Sequence, residues 1–486
     1  MYIETCELEL LILQIYPESS LFTRSGFSLE KFLYSFQKDV NLRTHRTLKQ
    51  FFEKVDYMKW CKLTILLIIF VSVIPEILLG KTASPKTLTV QMNFNDSDGM
   101  LFNEKVIQTF VEIKNNSADT VSMQITWKIE TDTWRPLMEM DAHLDIMPNV
   151  DRSAYCPWFE LPGPGFYHIS ATITTEKDEI YAASKVVGID PEKIPATTDA
   201  MDDFDSFWKE SLRALDEIDP KFKVIPQKRD KKAKTKLFKV EMQSWNGLTM
   251  RGWLEVPKKR GKYPALLRVP GYNSNKKPID KYDDLIVLSF NPRSHGESDD
   301  GEDAEIDMWI RGLDSEQKYY YRGAYLDCIR AVDFLESRKD VDQDRIAIWG
   351  GSQGGGFAFA TAALDERIDL CIADIPWMCD WDNFFAITHW AEIGDWFASN
   401  PDQNWASMLN TLSYFDTKNM ADRISCPVIM SIGLQDAVCP PSTSFATYNL
   451  INSPKEYTVY KHSGHWQPKT HYEDRFEWLR GQFNMD

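Results

Sequence analysis

Between residues 86 and 190 apolar and polar positions alternate in short runs. Leu88-Thr-Val-Gln-Met92 and residues 106–113, 121–127 and 167–173 each place every second side chain on one apolar face, the period of a half-buried strand. Clusters of Asn, Asp, Gly and Pro separate the runs, and Pro162-Gly-Pro-Gly165 is a strong turn signal. The spacing predicts an immunoglobulin-like β-sandwich over residues 84–190. It holds no cluster of catalytic residue types, so it reads as a packing or spacer module, or as one that binds carbohydrate.

The period then changes. Residues 187–200 are polar and Pro-bearing, a linker. Residues 203–215 place Phe204, Phe207, Trp208 and Leu212 on one helical face. Beyond them, strand-like runs at 237–242, 248–256, 265–269, 285–290, 346–349, 370–373, 428–432 and 456–460 alternate with helical ones at 320–339, 357–364 and 442–450. Such alternation predicts an α/β domain over residues 191–486, with a mostly parallel sheet covered on both faces.

Upstream, Met58-Lys-Trp-Cys-Lys precedes an apolar run over residues 63–74, which Pro75 and Glu76 interrupt. A membrane-spanning helix needs about 20 apolar residues. Residues 58–83 therefore read as a signal peptide whose first residue is Met58, residues 1–57 as an upstream extension of the reading frame, and the product as secreted or periplasmic. A net charge of −17 disfavours nucleic acid and anionic membrane surfaces as partners. The one basic run, residues 228–236, has no interleaved aromatics and reads as a solvated hairpin or loop. Eight cysteines show no C-x-x-C pair and no His cluster at ligand spacing, so neither a metal site nor a small disulfide scaffold is expected.

The chemistry concentrates after the run Ile346-Ala-Ile-Trp349. Gly350-Gly-Ser-Gln-Gly354 follows it, and a helical segment comes next. Strand, G-x-S-x-G and helix form a nucleophile elbow, the turn that holds the serine of an α/β-hydrolase at the C-terminal edge of its sheet. Ser352 is then the candidate nucleophile. It needs a base oriented by an acid, and in this fold the chain order is Ser, Asp or Glu, His. Asp436 follows the strand 428–432 and suits the acid. Two histidines, His462 and His465, follow the strand 456–460; His465, after a glycine at a loop tip, suits the base better. An oxyanion hole needs the N–H after the nucleophile, at Gln353, and one from the loop after an earlier strand, where Pro270-Gly-Tyr272 offers Tyr272. His295 has no second ligand at metal spacing and reads as a hydrogen-bonded structural histidine. Residues 376–415 are rich in aromatics and sit where such folds carry a lid; most of these rings are expected in the lid core.

Met201 to Leu215, Pro270-Gly-Tyr-Asn273, Arg293, Gly350-Gly-Ser-Gln-Gly354, Ala373-Asp-Ile-Pro376, Leu412-Ser-Tyr-Phe-Asp416, Gly433-Leu-Gln-Asp-Ala-Val-Cys-Pro-Pro441 and Gly464-His465 fall in one order. That order resembles the acetyl xylan esterase / cephalosporin C deacetylase family, carbohydrate esterase family seven. The resemblance implies a Ser352/Asp436/His465 triad with Tyr272 and Gln353 as oxyanion donors. It also implies release of acetate from acetylated sugars without a cofactor, and leaves a homo-oligomer open. Arg293-Ser-His295 stands where the family usually has Arg-Gly-Gln, His465-Trp466 where it has His-Glu, and Pro270 where it has His. Two rival functions remain at this level: a serine peptidase of prolyl-oligopeptidase type, with the same fold and triad order, and a non-catalytic carbohydrate-binding protein.

Overall fold

The computed structural model describes residues 87–94, 100–101, 106–107, 109–299, 307–390 and 392–485. The expected signal peptide and the upstream extension lie outside the described residues.

Ten strands come first: β1 (Leu88–Phe94), β2 (Met100–Leu101), β3 (Val106–Ile107), β4 (Thr109–Asn115), β5 (Val121–Thr131), β6 (Pro136–Ile146), β7 (Asp151–Tyr155), β8 (Phe159–Glu160), β9 (Gly165–Thr175) and β10 (Ile180–Ile189). One sheet has the order β1-β4-β7, a second β2-β10-β9-β5-β6, and β3 pairs with β8. The predicted alternation is visible along β5, where Met123, Ile125, Trp127 and Ile129 are buried while Gln124 and Lys128 face water. These side chains meet Val111 and Ile113 of the first sheet and Ile169 and Ile173 of the second in one apolar cluster. β10 runs on to Ile189, so the linker starts at 190 rather than 187; Val187 and Ile189 belong to this core, and their burial outweighs the polar character of the residues after them.

The second part opens with helix α1 (Phe204–Asp216), which buries Phe204, Phe207, Trp208, Ser211 and Leu215. The Trp208 indole N–H donates to the Tyr414 carbonyl at 2.9 Å. Strands β11 (Lys223–Gln227), β12 (Thr235–Gln243), β13 (Thr249–Pro257), β14 (Tyr263–Val269), β15 (Ile286–Asn291), β16 (Val341–Gly351), β17 (Leu370–Asp374), β18 (Val428–Gly433) and β19 (Lys455–Tyr460) form one sheet, ordered β11-β12-β13-β15-β14-β16-β17-β18-β19. The pairings from β11 to β15 are antiparallel and those from β15 to β19 are parallel. Every residue of β15, β17 and β18 is buried, as a strand covered on both faces requires. Helices α2 (Tyr320–Glu336), α3 (Gln353–Leu364), α4 (Trp381–Ile387), α5 (Glu392–Ser399), α6 (Trp405–Ser413), α7 (Pro441–Leu450) and α8 (His471–Gln482) accompany the sheet. The basic run lies in the β11–β12 hairpin.

Two helical expectations need correction. α3 begins at Gln353, four residues before the expected start; Gly354, Gly355 and Gly356 are poor helix formers, yet they are buried in the first turn where backbone passes too close for a side chain. α8 was not foreseen, because its apolar positions carry little helical periodicity.

Residues 86–486 pack as one compact unit. Met100 and Phe166 of the β-module belong to the apolar core of the large sheet. The module therefore differs from its neighbour in architecture but shares packing with it.

A buried ion pair anchors the loop after β15. Arg293 donates from Nε to Asp327 Oδ2 at 2.7 Å and from Nη2 to Oδ1 at 2.9 Å. Asp327 is fully buried on α2 and also accepts from Ser244 Oγ at 2.5 Å. Removing one partner of such a pair leaves a charge in low dielectric. Arg293→Met is expected to cost about 3–5 kcal/mol, read as a lowered melting temperature. Arg293→Lys should recover only part of it, since it loses the two-pronged geometry.

Candidate active site

β16 and α3 meet at Ser352, which is held at φ 59° and ψ −125°. This conformation is strained for a residue with a side chain. Two close approaches impose it. A Cβ on Gly350 would stand 2.2 Å from the Gly354 carbonyl oxygen, and one on Gly354 would stand 2.7 Å from that of Val269. Glycine at both positions lets strand and helix meet. The Ser352 N–H donates to the Asp374 carbonyl at 2.9 Å, and its own carbonyl accepts from Gly355 and Trp377 N–H. The hydroxyl is thus presented at the N-terminus of α3, where the helix dipole favours negative charge.

The structure brings the three candidate side chains together. His465 Nε2 lies 3.0 Å from Ser352 Oγ, and His465 Nδ1 lies 2.8 Å from Asp436 Oδ2. The other Asp436 oxygen accepts from the Val438 and Cys439 N–H groups at 2.8 and 2.9 Å. Asp436 is therefore held on both sides and is only 4% exposed. With Nδ1–H committed to the carboxylate, Nε2 is left to accept the serine proton. His462, the competing histidine, is exposed on the loop. Around this geometry the loop after β14 passes close to Ser352: a Cβ on Gly271 would lie 3.6 Å from Ser352 Cβ. Tyr272 is the next residue, and its ring packs edge-on against Trp377 with centroids 5.6 Å apart.

A family model for acetyl xylan esterase (AXE1) matches residues 193–482. The chain belongs to the acetyl xylan esterase family. It is a carboxylic ester hydrolase. Acetyl esterase Axe7A of Xylanibacter ruminicola is 31% identical over 342 residues, covering 66% of this chain and 75% of that protein. The solved acetyl xylan esterase from Paenibacillus sp. R4 is 30% identical with a TM-score of 0.55, covering 60% of this chain and 98% of that one. Acetyl xylan esterase 1 from Thermoanaerobacterium sp. JW/SL YS485 is 28% identical with a TM-score of 0.55, over the same 60% and 98%. The family match begins at residue 193, after the β-module.

Within this esterase, Gln353 is fixed by its side chain. Its Oε1 accepts from the Tyr321 hydroxyl at 2.6 Å, and its Nε2 donates to His295 Nε2 at 3.0 Å. His295 Nδ1–H donates in turn to the Arg293 carbonyl at 3.0 Å. His295 is thus the hydrogen-bonded structural histidine that was expected, in its neutral form.

A second support lies beneath the elbow and was not singled out as a functional position. The buried Asp374 carboxylate accepts from the Trp349 indole N–H at 2.6 Å and from Ser431 Oγ at 2.8 Å. His471 Nε2 stands 2.8 Å away and Arg475 Nε 3.3 Å. Burial alone would raise this carboxyl's pKa, but His471, Arg475 and Trp349 together hold it below the ordinary value. The motif Ala373-Asp-Ile-Pro376 was a signal for it; its partners come from α8, which the periodicity did not reveal.

Most rings of the expected lid are core. Trp377, Trp381, Phe384 and Trp396 are buried, whereas Trp405 is half exposed. Trp377 stacks on Trp390 with centroids 5.3 Å apart. Asp416 anchors the start of α4, since its carboxylate accepts from the Asp380 and Trp381 N–H groups there. Burial pushes the Asp416 carboxyl up to about 7, against the opposing charge of Lys418.

His295 supplies a pH test. Burial lowers its pKa, and the Arg293 carbonyl and Asp327 only partly offset this. The unfolded chain then binds a proton, near the ordinary pKa of about 6.5, that the folded chain refuses. Stability from this group is complete above that pH and is lost as pH falls below it. Melting temperature should fall on acidification from pH 7 to 5. In His295→Gln the slope should be shallower, which paired thermal melts across that range would measure.

Proposed function

We propose that this esterase removes acetyl groups from acetylated carbohydrates such as xylo-oligosaccharides, with Ser352 as nucleophile, His465 as base and Asp436 as the acid that orients it. The observation that carries the reading is the unbroken Ser352–His465–Asp436 hydrogen-bond chain at 3.0 and 2.8 Å. Ser352 Oγ attacks the acetyl carbonyl carbon while His465 Nε2 takes its proton. The oxyanion is held by the N–H groups of Tyr272 and Gln353. Collapse breaks the bond to the sugar oxygen, which leaves with the proton from His465. Water then adds to the acetyl-enzyme by the same route, its proton passing to His465 and back to Ser352 as acetate departs.

The β-module is read as immunoglobulin-like. The order β1-β4-β7 against β6-β5-β9-β10, with β2 running parallel to β10, supports this. So does Tyr167, near the start of β9, whose hydroxyl donates to the Gly163 carbonyl at 2.8 Å in the manner of a tyrosine corner.

Ser352→Ala should lower kcat on aryl acetates by about 10⁴ or more with an unchanged melting profile; a variant that keeps a tenth of wild-type activity overturns the nucleophile assignment. Wild-type enzyme should release acetate from acetylated xylo-oligosaccharides. Along a series of p-nitrophenyl esters, activity should fall steeply from acetyl to butyryl, each unaccommodated methylene costing about 1–3 kcal/mol. A preference for octanoyl esters, or efficient cleavage of peptidyl nitroanilides, would overturn the substrate class.

A further inference from the structure

The β5–β6 hairpin of the β-module is turned by Asp132-Thr-Trp-Arg135, and its tip carries a large exposed aromatic residue. Trp134 is 51% exposed, yet it is not loose. One face of its indole stacks on the His168 imidazole, with ring centroids 4.0 Å apart and planes 10° from parallel. Its Nε1–H donates to the Ile387 carbonyl at 3.0 Å, at the C-terminal end of lid helix α4. Its backbone stands at φ 62°, an outlier for a bulky residue. Strain of this kind persists where surrounding contacts over-determine a side chain's position, and it gathers at ligand-binding sites.

The tip is seated on the end of α4, and the strand behind it packs on α7. The Asp132 N–H donates to the Phe166 carbonyl at 3.1 Å. Just before α7, the Cys439 N–H donates to Asp436 at 2.9 Å. Behind the tip, Phe166 meets Phe445 of α7 with centroids 5.8 Å apart. Farther back, Val186 of β10 exchanges two hydrogen bonds, at 2.8 and 3.0 Å, with the side chain of Gln435, the neighbour of the triad acid. The hairpin tip thus reaches the end of α4, and the strand behind it reaches α7, the helix that follows the Asp436 loop. An indole with one face covered, its polar edge tied and its other face in water is a preorganised flat apolar surface. The C–H face of a pyranose ring matches such a surface.

We propose that Trp134 is a specificity-determining residue: it stacks a sugar ring of the substrate and holds the saccharide so that its acetyl group reaches Ser352. The inference rests on the acetylated-carbohydrate reading above and adds that the β-module, not the lid alone, binds the glycan.

The test compares acetate release from acetylated xylo-oligosaccharides with that from ethyl acetate, which has no ring to stack. Trp134→Phe keeps a ring and loses the donor to Ile387. Trp134→Gln keeps a donor and loses the ring. Stacking predicts that Trp134→Gln and Trp134→Ala raise KM for the oligosaccharide about two- to tenfold. Their kinetics on ethyl acetate should match wild type, and Trp134→Phe should stay near wild type on both substrates. A merely structural pin predicts the opposite order, with Phe impaired and Gln spared, or equal losses on both substrates; either result overturns the proposal. If wild-type enzyme takes the oligosaccharide and every variant matches it, this proposal alone fails. If wild-type enzyme hydrolyses ethyl acetate but not the oligosaccharide, the substrate reading fails and the stacking role with it. Should Trp134→Ala fail to fold, the Phe and Gln pair still decides.

Discussion

The backbone of Ser352 is held at φ 59° because β16 and α3 leave it no other path. Gly350 and Gly354 lie so close that a single Cβ on Gly350 would strike the Gly354 carbonyl oxygen at 2.2 Å. Much else follows from that constraint. The turn points the hydroxyl out over the sheet edge, sets the Gln353 N–H beside it, and places the buried N-terminus of α3 behind it. The strain is maintained by hydrogen bonds on both sides of the serine, above all from its N–H to the Asp374 carbonyl at 2.9 Å. The parallel pairing of β16 with β17 brings Asp374 there, so sheet and elbow are one mechanical unit.

Two buried polar networks converge on this unit. One runs from Gln353 through His295 to the loop of Arg293, and from there through Asp327 to Ser244. The other gathers Trp349, Ser431, His471 and Arg475 around Asp374. Each network ties a residue that adjoins or touches Ser352 to elements far from it in sequence. Buried polar groups are costly when unmet, and a satisfied network rigidifies what it touches. The reacting atoms are thus positioned by polar contacts as much as by the apolar core. This suits a reaction whose rate depends on preorganised donors.

The β-module is joined to the catalytic part beside the chemistry rather than at a distance from it. Gln435 is the instructive residue. Its side chain bonds to both the N–H and the carbonyl of Val186, while the next residue, Asp436, stands 2.8 Å from His465 Nδ1. A bond to the backbone of strand β10 and the partner of His465 are therefore adjacent in the chain. The loop between them has little room to move independently of the module. The apolar core likewise continues through Met100 and Phe166 rather than stopping at the linker.

Much of this was legible in the chain alone. Element type is a local property: period-two alternation marked the strands of the β-module, and short apolar runs followed by helical segments marked the α/β part. The elbow is local as well, since five consecutive residues and their flanks encode its turn. Chain order after Ser352 narrowed the candidate acid to Asp436 and the candidate base to two histidines, of which His465 was favoured by the glycine before it. Other features were decided only by the tertiary structure. His465 reaches Ser352 while His462 faces solvent, though both follow the same strand. His295 meets Gln353 across 58 positions, Arg475 meets Asp374 across 101, and Trp134 meets Ile387 across 253. Periodicity reports which face of an element is apolar, but it carries no record of which distant polar group will meet that element once the sheet closes. The glycines of α3 make the same point in reverse: weak helix formers by propensity, they are helical because the packed backbone of β14 and β17 leaves space for nothing larger.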